Sequence, residues 1–468
     1  MTLGLVATAG AIARGEMSSR KAVEAALRKI DAYDGQLGAF LSVDRDAALA
    51  SAEERDRERA AGKLRGRLHG VPFAYKDIFR RDGYRATAGT VPPDDAANET
   101  AHVLEELFAA GAVPIGALNM DELAAGGTGI NEHYRRCANP YALDHIAGGS
   151  SSGSAASVAA GLVSASLGSD AGGSIRLPAA FCGVVGLKPS YGRVSRHATL
   201  ARSWSMDCTG PLARDADDCA AMLAIVAGRD KRDPTTADVP VPDYAAALAM
   251  RQGLRGVTIG LALDGPYADI DAEMRAAIAH ACDILRDLGA TLRPVEIPDV
   301  ALLNDLQQVL VKCEAATLHG KRLRNDPDGI GFSARSVIQE GLLIPATRYI
   351  EALSLRGPLL EAHVAALYRG TADIVLAPVI PGPAPSVAAM ATGDSGTVER
   401  LFTRTARFTR AANYLGTPAI SVPCGMSQTG LPLAFQFMGR PFAEAELLAA
   451  ANAYLRATGP LPAPTLTS

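Results

Sequence analysis

Between Gly148 and Pro189 the chain reads GGSSSGSAASVAAGLVSASLGSDAGGSIRLPAAFCGVVGLKP, two glycine- and serine-rich clusters separated by a run of small residues. No other stretch restricts the fold as tightly, because such side chains let backbones approach closely while burying little apolar surface of their own. In isolation a Gly/Ser run is most simply a flexible linker. Its flanks exclude that here. Ala155 to Ala160 reads as helix ending at Gly161, and Val163 to Leu167 reads as a strand leading into the second cluster, AGGS. Linkers do not sit inside packed layers, so both clusters are expected to be tight turns.

The same alternation recurs along the chain. Glu99 to Ala110 reads as helix, Gly111 as its stop, and Ala112 to Leu118 as strand. Val257 to Ala262, Ile374 to Ala377, Ala419 to Val422 and Leu433 to Phe437 are short apolar runs typical of buried strands. Asn139 to Ile146 has little strand character and reads as loop. Alternating elements imply α/β layers, and 48% hydrophobic with 21% charged residues is enough to build a substantial core. Arg229 to Asp243, rich in charge and proline, reads as a surface connection and a potential domain boundary, although the strands after it look like more of the same sheet. The tail from about Thr458 is expected to be poorly ordered.

Composition narrows the function. A net charge of -4 gives no global attraction to nucleic acid or to an anionic membrane. Leu3 to Ala13 is apolar but lacks a basic flank and runs into Arg14 and Glu16, so it reads as a short helix rather than a signal segment. A turn at Gly15 and a second helix capped by Ser18 or Ser19, with Val23, Ala26, Leu27 and Ile30 on one face, are expected next. No apolar run is long enough to span a membrane. The seven cysteines include no C-x-x-C pair, which predicts free thiols and a cytoplasmic location. None of the eight histidines falls in H-x-H or H-E-x-x-H, so no metal site and no cofactor are expected.

A glycine-rich turn inside packed layers serves either to cradle phosphate or to hold a serine beside an oxyanion site. The Walker pattern requires a lysine, and none occurs from Gly148 to Leu187. That leaves the serine reading, with two registers. Gly149-Ser150-Ser151-Ser152-Gly153 matches G-x-S-x-G and would make Ser151 a nucleophile, but that elbow must follow a strand directly. The loop-like 139–146 does not supply one.

The segment Gly148 to Pro189, above all Gly168-Ser169-Asp170-Ala171-Gly172-Gly173-Ser174-Ile175-Arg176, resembles the signature of the amidase-signature family. Bacterial amidases, fatty-acid amide hydrolase and the glutaminase component of glutamyl-tRNA(Gln) amidotransferase belong to it. The likeness extends over almost the whole chain. Val71-Pro72-Phe73-Ala74-Tyr75-Lys76-Asp77 is similar to the family's lysine strand, Asn119-Met120-Asp121-Glu122-Leu123-Ala124 to its pocket-lining turn, and Gly416 to Gly425 to a late strand. The resemblance implies one domain over residues 1–468, an α/β fold whose mixed central β-sheet is covered by helices on both faces. It also implies Ser174 as nucleophile, Ser150 as a relay preceded by a cis peptide, and Lys76 as base. The oxyanion donors become the N–H groups of Ala171, Gly172, Gly173 and Ser174, and Ala124, Ala125, Gly126 and Gly127 line the acyl pocket.

This assignment is chemically coherent. A serine hydroxyl needs a base, and lysine serves only when neutral, which requires burial to lower a pKa of about 10.4 by several units. Lys76 lies in the apolar run Val71 to Phe79. Asp170 and Arg176 are expected to pair and fix the loop, and Trp204, the only tryptophan, to fill core. The implied reaction is hydrolysis of a small-molecule carboxamide through an acyl-enzyme, with carbamates and esters as related substrates. A homodimer is compatible with it. The alternative is the glutaminase subunit of the tRNA amidotransferase. In that subfamily an Arg and an Asp hold the amino acid, whereas the matching stretches here read Ser336-Val337-Ile338-Gln339-Glu340-Gly341 and Thr405-Ala406-Arg407-Phe408. That difference favours a stand-alone amidase.

Overall fold

The computed structural model describes residues 3–91, 96–391 and 403–467. Its strands are β1 (Phe40–Val43), β2 (Pro72–Lys76), β3 (Val113–Leu118), β4 (Ala138–Asn139), β5 (Ala142–Ile146), β6 (Ala165–Asp170) and β7 (Val185–Lys188). They continue as β8 (Cys208–Ala213), β9 (Thr258–Leu261), β10 (Thr291–Pro294), β11 (Ile374–Pro378), β12 (Ala419–Met426) and β13 (Pro432–Met438). Eleven of these form one mixed sheet in the order β1-β3-β2-β6-β8-β7-β12-β13-β11-β9-β10. The pairs β3/β2, β2/β6, β11/β9 and β9/β10 are parallel, and the remaining pairs run antiparallel. Because β9, β10 and β11 extend the same sheet, the charged segment 229–243 joins parts of one layer.

Strand periodicity sends neighbouring side chains to opposite faces. Phe73 and Tyr75 of β2 belong to the core cluster that also holds Leu223 of helix Ala216–Val226 and Leu447 of helix Glu444–Thr458. Ala74 between them joins a second cluster, with Val23 and Leu27 of helix Ser19–Leu37 and Val158 of helix Ser152–Ala159. Helices therefore cover both faces. Every residue of β2, β3 and β6 is buried, including the charged residues Lys76 and Asp170 that end β2 and β6.

The anticipated elements are present with shifted ends. The strand expected at Val163 begins at Ala165 and reaches Asp170, and the helix expected from Glu99 begins at His102. Residues 139–146 are a correction: β4 and β5 pair there as a small antiparallel hairpin outside the main sheet. Leu143 and Asp144 of β5 are exposed and only Ile146 is buried, so this strand leaves no alternating apolar pattern. At the N-terminus, helices Leu5–Ala13 and Ser19–Leu37 flank Gly15, whose φ is +75°, and the Ser18 hydroxyl accepts the Lys21 N–H at 3.1 Å. Among the described residues beyond Thr458 there is no regular structure, but the Tyr141 hydroxyl donates to the Pro462 carbonyl at 2.9 Å and Gln36 to that of Thr467 at 2.8 Å. Among the described residues no helix is long and apolar enough to cross a membrane.

Candidate active site

Parallel pairing of β2 with β6, in register at Ala74/Ser166 and Tyr75/Leu167, brings the C-terminal ends of both strands together. Lys76 emerges at one end and Ser169 and Asp170 at the other. The first glycine-serine cluster crosses above them, with Gly148 at φ +76° and the Gly149–Ser150 peptide cis, as the resemblance implies. Lys76 Nζ donates to Ser150 Oγ at 2.7 Å and to Ser169 Oγ at 3.0 Å. Lys76 and Ser150 are wholly buried, and Ser174 is 5% exposed. Burial in this dry corner pulls the Lys76 pKa down to about 7, against the opposing pull of the Asp121 carboxylate.

The two clusters are stitched together by the Ser151 N–H, which donates to the Ser174 carbonyl at 3.2 Å. Ser151's own hydroxyl lies against the β6 backbone, donating to Ser169 O at 3.2 Å and accepting the Ser169 N–H at 3.3 Å. The residue that the G-x-S-x-G register would make nucleophilic is thus fully buried and bound to a strand.

Residues 171 to 174 are held by their carbonyls. Gln307 Nε2 donates to Ala171 O at 2.8 Å, Thr409 Oγ1 to Gly172 O at 2.7 Å, and the Leu177 N–H to Gly173 O at 2.8 Å. Their amides behave differently. The Gly173 N–H donates to Asp170 Oδ1 at 2.6 Å, so this expected oxyanion donor is already engaged. Among the described residues, the N–H groups of Ala171, Gly172 and Ser174 have no acceptor in the protein. A turn whose carbonyls are fixed from behind and whose amides remain open is built to receive an oxygen anion. Gly173, at φ +125°, is required by the geometry, since a Cβ there would overlap Thr409 Oγ1.

Asp170 and Arg176 pair as expected, through Nε at 3.0 Å and Nη2 at 3.2 Å, both fully buried. The guanidinium is completed by Gln436, the Thr409 carbonyl and Asn413. Burial alone would push the Asp170 carboxyl up, but the Arg176 charge outweighs it and holds the group well below the carboxylate range.

The pocket-lining turn is organised by Asp121. Its carboxylate accepts the Thr128 and Gly129 N–H groups at 2.9 and 2.8 Å, and burial raises its pKa to about 6. A Cβ at Gly126 or Gly149 would overlap this carboxylate, which explains glycine at both positions. Ala124 lines a cavity of about 210 Å³ together with Ser169, Ile78, Arg202, Trp204 and Thr209. The Ala124 carbonyl accepts from Arg202 Nη1 at 2.6 Å and that of Ala125 from Ser333 Oγ at 2.7 Å. Trp204 corrects the core expectation: it is 37% exposed and forms part of this wall.

Ser169, Asp121, Gln307 and Thr409 were not singled out by sequence. Ser169 had a signal, since it follows Leu167 by one strand period on the neighbour of the lysine strand. Gln307 and Thr409 lie more than a hundred residues from the turn they hold and carry no local pattern.

A family model described as Amidase matches residues 21–448. The chain is 41% identical to the A-type subunit of a glutamyl-tRNA(Gln) amidotransferase from Anaeromyxobacter sp. (strain K), over 99% of this chain and 97% of that one. Its fold superposes with TM-score 0.92 and 34% identity on a chain of a vestigial protein complex tied to the evolutionary origins of an s-triazine catabolic enzyme, covering 98% of this chain and 100% of the other. Native peptide amidase from Stenotrophomonas maltophilia matches with TM-score 0.85 and 32% identity over 99% of both chains. The chain belongs to the amidase (amidase-signature) family, whose enzymes act on C–N bonds.

Proposed function

We propose that this protein hydrolyses carboxamides through an acyl-enzyme on Ser174, with Ser150 relaying protons to and from Lys76. The observation that carries the reading is the fully buried Lys76, its pKa near 7, 2.7 Å from Ser150 Oγ. A neutral amine has two N–H donors and one lone pair. In the neutral amine the 2.7 Å contact reverses: one hydrogen is donated to Ser169, and the lone pair takes the Ser150 hydroxyl proton as Ser150 accepts the proton that leaves Ser174. The serine oxygen attacks the carbonyl, and the oxyanion settles on the open amides of Ala171, Gly172 and Ser174. Each such donor is worth about 3 kcal/mol. Ser150 returns the proton to the departing nitrogen, and water releases the acyl group by the same path. Carbamates and esters present a carbonyl at the same place.

The second reading, glutaminase subunit of a tRNA amidotransferase, draws on the 41% identity to proteins of that name. Against it stand the two stretches that would hold the amino acid. Helix Phe332–Leu343 carries Glu340, which pairs outward with Lys312, and Arg407 pairs with Asp269. Neither offers a group for a zwitterion. Incubating the purified chain with aliphatic amides, aryl amides, carbamates, esters and glutamine, and measuring amine or ammonia release, tests both. Turnover of simple amides with glutamine a poor substrate supports the stand-alone amidase. Glutamine as the preferred substrate supports the second reading, and an inert protein that also fails to react with a fluorophosphonate overturns the hydrolase.

A further inference from the structure

Two arginines flank this site without a direct ion pair, although the charges of Asp207, Asp121 and Asp170 act on one of them, Arg202. Arg410 follows Thr409, whose hydroxyl holds the oxyanion turn at Gly172, and lies three residues before Asn413, which donates to Asp170. It is 7% exposed, and among the described residues its guanidinium has neither ion pair nor hydrogen bond. Arg202 stands in the cavity wall with Ala124 and Ser169. Its one side-chain hydrogen bond goes to the Ala124 carbonyl, and its Nε is buried without a partner. The other cations of that wall are engaged: Arg196 reaches Asp233, and Arg232 reaches Glu105 and Asp230. Asp207, in the same wall, uses one oxygen to accept the backbone N–H groups of Arg202 and Ser203 at 2.9 Å. Asp121 and Asp170 are tied to backbone amides and to Arg176.

A guanidinium presents five N–H donors and stays charged, so holding two of them largely out of water beside a catalytic turn is costly unless something fills them. Burial, and then the charge of Arg202, bring the Arg410 pKa down to about 10, so the two cations repel one another. An anion that reaches both guanidinium groups relieves both costs. A carboxylate is the planar, two-oxygen group that a guanidinium fork matches best.

Resting on the hydrolase reading above, we infer that Arg202 and Arg410 form a carboxylate subsite, and that the substrate is a half-amide of a dicarboxylic acid whose free carboxylate lies on the acyl side. The acyl side follows from Arg202, which shares the cavity wall with Ala124. The cavity's modest volume of about 210 Å³ suits a short acyl chain. The reaction is then amide plus water giving dicarboxylate and ammonia, and the nitrogen leaves away from the arginines.

The test compares kcat/KM for succinamate and glutaramate with the uncharged butanamide and pentanamide. The charged member of each pair should be turned over at least about tenfold better, the scale of one charge-assisted hydrogen bond. Arg202→Met and Arg410→Met should each reduce that ratio, whereas a general folding defect lowers both members alike. Arg410→Lys should recover part of it. Equal rates for charged and uncharged amides, or a ratio unmoved in both Met variants, overturn the subsite while leaving the hydrolase standing. If the wild type cleaves nothing and no serine reacts with a fluorophosphonate, the hydrolase reading falls separately. Calorimetric titration with succinate then decides the subsite: binding lost in both Met variants upholds it, and absence of binding to the wild type overturns it.

Discussion

Lys76 Nζ stands 2.7 Å from Ser150 Oγ in a corner sealed from solvent, with Ser169 Oγ 3.0 Å away. Both contacts are with neutral groups. The carboxylate that acts most strongly on the amine, Asp121, is bound to two backbone amides instead. The amine is therefore desolvated without a direct ion pair, the condition under which a lysine is neutral at ordinary pH.

Replacing Lys76 with Ala should lower kcat by about a hundred- to ten-thousand-fold, the usual range for a lost general base. The variant should still fold, because only one buried amine and its stem are removed. Steady-state assays with circular dichroism check both parts, and a folded, fully active variant rejects Lys76 as the base.

The pH profile has a definite sign. Only the neutral amine accepts a proton, and its folded pKa is about 7, so kcat/KM should rise through neutral pH and level off above it. Between about 7 and the unfolded value of about 10.4, the unfolded chain binds the extra proton, so the Lys76 contribution to stability improves as pH rises through that window. An activity maximum near pH 4 would contradict the assignment.

Arg176→Ala should destabilise the protein by about 3–5 kcal/mol, because it leaves the Asp170 carboxylate buried and uncompensated. In the wild type, Asp170 is held below its ordinary range. Its stabilising share is present above the unfolded pKa of about 3.9 and is lost as pH falls below that toward the folded value. Urea melts of wild type and variant across acidic pH measure both effects. A loss under about 1 kcal/mol at neutral pH would show that the pair is dispensable.

Gly173→Ala places a methyl group against Thr409 Oγ1 at a backbone φ of +125°. The turn must shift, and the open amides of Ala171, Gly172 and Ser174 lose their common aim. A hundred-fold or larger fall in kcat is expected, on the scale of a lost oxyanion donor. Retention of normal kcat would place the oxyanion donors elsewhere.

Features that are local or periodic are legible in the residues themselves. The buried strands at Ile374, Ala419 and Leu433 show as short apolar runs, and Gly148 and Gly173 mark the turns because both adopt positive φ. Contacts assembled by topology left no such trace. Gln307 and Thr409 reach the catalytic turn from distant parts of the chain, and nothing in the local sequence sets Arg202 and Arg410 apart from surface arginines. The hairpin at 138–146 was missed for a related reason, since an exposed strand has no apolar alternation to betray it.

Which serine becomes acylated separates the two registers of the glycine-serine segment. A fluorophosphonate should attach to Ser174, which follows the open amides directly and is the least buried hydroxyl among Ser150, Ser151, Ser152 and Ser174. Ser174→Ala should remove labelling and turnover together. Ser150→Ala should weaken both strongly yet leave a residue, because a water molecule can bridge Lys76 to Ser174 where the hydroxyl stood. Ser151→Ala acts through structure: its hydroxyl holds Ser169 by two hydrogen bonds, and Ser169 in turn holds Lys76. Its expected signature is a lowered melting temperature and a modest fall in kcat, with labelling retained. Peptide mapping that finds the label on Ser151, with Ser174→Ala still reactive, would replace this mechanism with a G-x-S-x-G hydrolase.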